Sequence, residues 1–173
     1  LLGKLCRAKK EQLFAKDTAE FRYWNKRNCY GLMDAMAIKL ARTVRFDDSL
    51  SVNEKIIQIE SMGDEFSELS QKPGFECFCI VSQALYAILA GALTADDPIQ
   101  DVIRIREKQF CAMGKMMEFA QNDEILKEYI KRAYKTDNII LWKVDLLLNS
   151  PHPRYAKLRN NKEYVEMLLK WKS

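Results

Sequence analysis

A run of 19 residues without a charged side chain, from Cys77 to Ala95, constrains the fold of this chain more than any other feature. Elsewhere charged residues recur every few positions. A helix that is apolar on every side must be buried, either in protein or in lipid. Polar residues such as Ser82 and Gln83 interrupt the run, and acidic residues flank it where a membrane span favours Lys or Arg. We therefore expect a central buried helix over about residues 75–95 and no membrane span.

Apolar residues on both sides of that run recur at spacings of three and four, which is typical of amphipathic helices. No segment alternates apolar and polar residues as a half-buried strand does. The clearest helical stripe comprises Ile56, Ile59, Met62, Phe66 and Leu69. We predict a single all-α domain over residues 1–173, folded as an irregular bundle of about seven or eight helices.

Local signals divide the chain into these helices. Ser51 and Glu54 have the spacing of a capping box, and Lys72-Pro73-Gly74 ends the helix that follows. Asp97-Pro98 is typical of an N-cap followed by proline at the first helical position. A first helix is predicted over Leu2 to Lys16, and Ser150-Pro151-His152-Pro153 is predicted to be a break between helices. The other predicted helix starts are Asp17, Asn122-Asp123, Thr136-Asp137 and Asn161.

The net charge of +4 hides a strong asymmetry along the chain. Residues 1–48 carry 11 basic and 6 acidic side chains, and residues 102–173 carry 15 and 9. The block between them, residues 49–101, carries 2 basic and 9 acidic side chains. Such asymmetry indicates the kind of partner better than the total charge does.

Within the acidic block, carboxylates recur along one face of the helix that begins after Ser51. Glu60, Asp64 and Glu68 are spaced by four residues, with Glu65 beside them, and no Lys or Arg lies between Lys55 and Lys72. Like charges at this spacing cost a few tenths of a kcal/mol per pair. We expect either a solvated helix face or a docking surface for a strongly basic protein partner. A divalent metal has little support, because no second cluster of ligands accompanies the stripe.

The basic ends of the chain offer an alternative, in which the protein binds nucleic acid. Arg22, Lys26 and Arg27 are interleaved with aromatic residues, so that cations could hold phosphates while rings stack on bases. On a helix these side chains point in different directions, and the aromatic ones more simply face the core. Four C-terminal cations could extend such a patch: Arg154, Lys157, Arg159 and Lys162.

Catalysis has little support in the sequence. The one histidine, His152, could serve Cys111 or Cys77 as a base, but its Pro-His-Pro setting is typical of a surface turn. The chain lacks a P-loop, a dinucleotide-binding glycine motif and the common hydrolase motifs. We expect no enzymatic activity, no cofactor and no metal. The five scattered cysteines favour reduced thiols and a cytoplasmic location.

The most economical interpretation is a non-enzymatic protein that works by binding another protein. The hypothesis is a small bacterial immunity or inhibitor protein that neutralises a toxin, such as a basic nuclease domain, by stoichiometric binding. Glu60, Asp64, Glu65 and Glu68 would then pair with Lys or Arg of the partner. The net charge of +4 counts against this hypothesis, since an inhibitor of a basic nuclease is expected to have a negative net charge. The sequence does not predict the oligomeric state.

Overall fold

The computed structural model of the chain describes residues 30–173, and this part is all-helical, with no β-strand. The predicted fold class is confirmed. The predicted helix over Leu2 to Lys16 and the start signal at Asp17 lie outside the described residues. The eight helices of the described part are α1 (Tyr30–Arg45), α2 (Val52–Leu69), α3 (Phe78–Ala92), α4 (Ile99–Ala120), α5 (Glu124–Tyr134), α6 (Ile139–Asn149), α7 (Pro153–Arg159) and α8 (Lys162–Lys170).

Helix α3 is the buried helix that the uncharged run predicts. Eleven of its 15 residues are buried, and it packs against α1, α2 and α4. It is shorter than the predicted span, because the backbone leaves the helical conformation and becomes extended at Leu93. The amide of the next residue, Thr94, donates to Asp97 Oδ2 at 2.6 Å. None of the described helices has the length and apolar character needed to cross a membrane.

The crossing of α2 and α3 depends on a glycine. A Cβ added to Gly63 would lie 2.8 Å from Cζ of Tyr86, so only the bare backbone admits this buried ring. The hydroxyl of Ser82 donates a buried hydrogen bond to the Gly63 carbonyl at 3.0 Å. The close approach of α3 to α2 at Gly63 thus determines which face of α2 points toward solvent.

Helix α4, the longest described helix with 22 residues, joins the two halves of the molecule. It packs against α3 on one side and against the shorter helices α5, α6 and α8 on the other. Tyr30 at the start of α1 donates to Asp123 at 2.8 Å, and Asp123 also accepts from the first amides of α5. One carboxylate thereby links the two halves.

Several helix boundaries agree with the predicted signals. The Ser51 and Glu54 capping box is present, with the Ser51 amide 2.8 Å from Glu54 Oε2. Asp123 caps α5 and Asn161 caps α8, as predicted. The stripe on α2 also faces the core, with Ile59, Phe66 and Leu69 buried.

Two predicted boundaries were wrong. Pro98 and not Asp97 occupies the N-cap position of α4, because the Asp97 side chain turns back to the Thr94 amide. Helix α6 is capped by Asn138, one residue beyond Thr136-Asp137. The predicted break at Ser150-Pro151-His152-Pro153 is confirmed, since residues 150–152 separate α6 from the short helix α7, which His152 caps.

Candidate functional site

The four carboxylates predicted to bind a partner lie together on the outer face of α2. A surface depression of about 580 Å³ follows this face. Its lining in the described part of the chain comprises Ile57, Glu60, Ser61, Asp64, Glu65 and Glu68. We call this set the α2 acidic face. All four predicted residues therefore lie along one shallow, open surface.

The expectation that no cation neutralises this stripe was wrong. Arg104 of α4 contacts Glu60, and Lys108 Nζ lies 2.7 Å from Glu60 Oε1 and 2.9 Å from Asp64 Oδ2. Further along, Lys115 Nζ is 3.1 Å from Ser67 Oγ. Residues further along α2 contact residues further along α4. The two helices are therefore parallel in this region.

Asp64 is held from a second side by Tyr86 of α3. The Tyr86 hydroxyl donates to Asp64 Oδ1, and burial together with this bond raises the pKa of the phenol. Lys108 Nζ also lies 5.7 Å from the centre of the Tyr86 ring, within the range of a cation–π contact. Asp64 is therefore a structural carboxylate as well as part of the face.

The cations of α4 keep their charge in this network. Partial burial opposes protonation of Lys108, but hydrogen bonds to Glu60 and Asp64 raise its pKa above the ordinary value. The same balance, with hydrogen bonds to Glu60 and Asp101, raises the pKa of Arg104. The inner half of the face is thus an ion-pair network that joins α2 to α4.

The outer half of the face has a different character. Glu65 and Glu68 are exposed on α2, one and four residues after Asp64. Ile57, at the opposite end of the depression, is 65% exposed, an unusual degree for an isoleucine in a folded protein. The face therefore combines exposed carboxylates with an exposed apolar side chain.

The structure bears on the nucleic-acid alternative only through its C-terminal cations. Arg22, Lys26 and Arg27 lie outside the described residues, so their role stays a prediction. Two of the C-terminal cations hydrogen-bond to backbone carbonyls, and the other two form exposed ion pairs. Arg154 donates to the Leu93 carbonyl at 2.6 Å and Arg159 to the Leu147 carbonyl at 3.0 Å, at the ends of α3 and α6. Lys157 lies 3.6 Å from Asp96, and Lys162 lies 3.5 Å from Glu166.

The groups considered for catalysis have structural roles or unfavourable settings. The His152 Nδ1 atom accepts the Arg154 amide at 3.3 Å as the cap of α7. Cys77 is buried, whereas Cys111 is exposed on α4. Burial also raises the pKa of the neighbouring Cys79 thiol, which disfavours the nucleophilic thiolate.

The location of the α2 acidic face was predictable from the spacing of its carboxylates, whereas its neutralisation was not predicted. One signal was present in the sequence, since Arg104 and Lys108 have the same four-residue spacing as Glu60 and Asp64. Within residues 30–173, no three side chains of the His, Cys, Asp or Glu type come together as a metal site. No family model, curated protein or solved structure matches the chain.

Proposed function

We propose that this protein works by binding a basic segment of another protein at the α2 acidic face, without catalysing a reaction. The observation that carries the proposal is the depression of about 580 Å³, whose lining joins Glu65 and Glu68 to the exposed Ile57. Interfaces of this kind combine charges that steer the encounter with an apolar anchor that is buried on binding.

The two halves of the face have separate tasks in this proposal. Glu65 and Glu68 attract Lys or Arg side chains of the partner, and Ile57 packs against an apolar residue of the same segment. Glu60 and Asp64 are held by Arg104 and Lys108, so this part of the face is ordered before the partner arrives. A pre-organised surface binds with a smaller loss of conformational entropy.

The partner class that best fits is a basic protein toxin domain, for instance a nuclease, which the chain would occlude as a bacterial immunity or inhibitor protein. The excess of 9 acidic over 2 basic side chains in residues 49–101 supports a basic partner. A cytoplasmic location belongs to the same proposal and is supported by the scattered cysteines. Binding would be stoichiometric, with one chain covering one partner surface.

The test is a capture experiment from a lysate of cells that express the protein natively, with three matched baits. The baits are the wild-type protein, the Glu68→Lys variant and the Glu128→Lys variant. Glu68 is exposed on the face, and a lysine in the last turn of α2 suits the helix dipole. Glu128 is exposed on α5, so its reversal makes the same change in net charge elsewhere.

The proposal expects one basic protein that is retained in equal molar amount by the wild type and by Glu128→Lys, and lost with Glu68→Lys. Ile57→Ser should weaken the same complex without changing the helical content. Retention of the same partner by Glu68→Lys contradicts the proposal, and so does an eluate without any stoichiometric partner.

A further inference from the structure

The most exposed large apolar side chains in the described part of the chain lie close together in sequence. Phe46, Val52 and Ile57 are 70%, 70% and 65% exposed, and the next most exposed side chain of this kind is only 55% exposed. Phe46 directly follows α1, Val52 begins α2, and Ile57 lines the α2 acidic face. Exposed apolar surface is therefore concentrated at the corner where α1 leads into α2, and such concentration is typical of an interaction surface.

The outer face of α1, beside this corner, is basic. Lys39, Arg42 and Arg45 are exposed there, away from the side of α1 that is buried against α3. No Asp or Glu within residues 30–173 forms an ion pair with any of these three cations. The guanidinium carbon of Arg45 lies 5.8 Å from the centre of the Phe46 ring, so the basic residues adjoin the exposed ring. We call Lys39, Arg42, Arg45 and Phe46 the α1 basic face.

The α1 basic face and the α2 acidic face lie on neighbouring helices. Only residues 46–51 join α1 to α2, and both helices pack against α3. Lys55 Nζ donates to the Arg45 carbonyl at 3.0 Å, so the end of α1 is level with the first turns of α2. The two helices are therefore antiparallel neighbours, and their outer faces, of opposite charge, both point away from α3.

This pair of helices is complementary to a second copy of itself. A two-fold axis parallel to α1 and α2 places α1 of one copy antiparallel to α2 of the other, and repeats the same contact across the axis. Phe46 lies seven residues after Lys39, and Ile57 lies seven residues before Asp64. Seven residues are two helical turns, so contact between Phe46 and Ile57 of the second copy also brings the cation to the carboxylate.

We propose that a second copy of this chain covers the α2 acidic face with its α1 basic face, reciprocally, in a two-fold dimer. The apolar corners of the two copies meet, and oppositely charged side chains face each other beyond them. Asp64 keeps 49% of its side chain exposed beside Lys108, and Glu68 is exposed one turn further along α2. The inference rests on the same face as the proposed function, and the dimer covers that face until a basic partner displaces the second copy.

The size of the two faces predicts a weak dimer. Helix α1 has 16 residues and α2 has 18, so each face is about 25 Å long and about 10 Å wide. Two such faces on each copy bury about 1,000 Å² in total, near the lower limit for a specific interface. The dimer therefore dissociates on dilution, which exposes the α2 acidic face to a partner.

The test is the molar mass of the purified full chain, measured by sedimentation velocity from low micromolar to near-millimolar concentration. We expect the mass to rise from one chain toward two, and to rise less at high salt, because salt screens exposed charges. Arg42→Glu and Phe46→Ser should each weaken the dimer about tenfold, through charge repulsion and loss of the apolar contact. Arg132→Glu, in the last turn of α5 as Arg42 is in the last turn of α1, is the matched control and should associate as the wild type does.

A charge exchange tests the pairing of the two faces directly. Arg42 precedes Phe46 by four residues, and Ser61 follows Ile57 by the same number. Arg42 thus lies opposite Ser61 of the second copy, and Ser61→Lys should weaken the dimer about tenfold by bringing two cations together. Arg42→Glu combined with Ser61→Lys in one chain should restore the dimer, because opposite charges then face each other in both halves of the interface.

A mass that approaches two chains, falls in the single variants and recovers in the double variant supports the proposal. A mass of one chain at every concentration, a mass that grows beyond two chains, wild-type association of Arg42→Glu, or a double variant that does not associate overturns it. Only this chain is present in the measurement, so its outcome does not depend on whether a basic partner is captured. The dimer and the proposed function can therefore fail separately.

Discussion

The ammonium of Lys108 on α4 lies 2.9 Å from the carboxylate of Asp64 on α2, although 44 residues separate them in the chain. With the second contact of Lys108, to Glu60 at 2.7 Å, this bridge divides the acidic stripe into two parts. The inner part holds two helices together, and the outer part contains the exposed Glu68, where we propose that a partner binds.

Removing the cation at the centre of the bridge should loosen α4 from α2. We expect Lys108→Met to lower the free energy of unfolding by about 1 kcal/mol, since partly exposed ion pairs contribute little more than that. Urea unfolding at low salt measures the change, which should shrink in 1 M NaCl because salt screens the pair.

Lys131→Met is the control for this comparison. Its ion pair with Asp137, at 3.4 Å, is more exposed than that of Lys108 and joins the end of α5 only to the turn that follows. We expect a loss of less than about 0.5 kcal/mol. Equal losses in the two variants would show that Lys108 does not hold α2 to α4.

The close approach of Tyr86 to Gly63 predicts a cost for any side chain at position 63. Gly63→Ala should destabilise the fold by about 1–2 kcal/mol, because the overpacking of a buried ring outweighs the gain in helix propensity. Thermal and urea unfolding both measure this loss. Gly114→Ala in the middle of α4 is the control, since the nearest atom to its Cβ is 4.0 Å away. Its stability should be unchanged or higher, and a stabilised Gly63→Ala would refute the packing argument.

Much of the fold was predictable from local signals in the sequence. The capping box at Ser51 and the stripe through Phe66 define α2, and the uncharged run defines the centre of the bundle. Such signals act within one or two helical turns, so the local sequence is enough to find them. The end of α3 at Ala92 was missed, because a contact with the distant Arg154 helps to fix it.

The candidate site was only partly predictable, because some of its contacts join residues that are distant in the chain. The spacing of Glu60, Asp64 and Glu68 placed them on one face, but their pairing with α4 depends on how α2 and α4 pack around α3. The burial of Arg106 on α4, which is 2% exposed, was not predictable either, because an arginine usually extends its charged end into water.

Lys143 predicts a specific dependence of stability on pH. Its pKa in the folded chain is about 8, against an ordinary value of 10.5, so between these values the unfolded chain binds more protons. The contribution of Lys143 to the free energy of unfolding therefore rises with pH across this range and is least favourable below pH 8.

We expect Lys143→Met to be more stable than the wild type by on the order of 3 kcal/mol at pH 7, and by about half as much at pH 9.5. Urea unfolding at both values measures the difference, and Lys135→Met, in the exposed turn after α5, is the control. A difference that does not change with pH would mean that Lys143 is not buried as a charge in the folded chain.

His152 predicts a structural and not a catalytic phenotype. His152→Ala should destabilise the fold by about 0.5–1 kcal/mol through loss of the α7 cap, whereas His152→Asn should retain most of the stability, because asparagine is a good N-cap residue. Urea unfolding of the two variants measures this. Equal destabilisation by both would contradict the capping role.

The affinity of the captured partner for purified variants tests the central claim, that the α2 acidic face is the binding surface. Isothermal titration calorimetry with the wild type, Glu68→Lys and Glu128→Lys compares the same charge change on the face and on α5. We expect at least a tenfold weaker complex, about 1.4 kcal/mol, for Glu68→Lys and an unchanged affinity for Glu128→Lys. Equal affinities for all three proteins would contradict it.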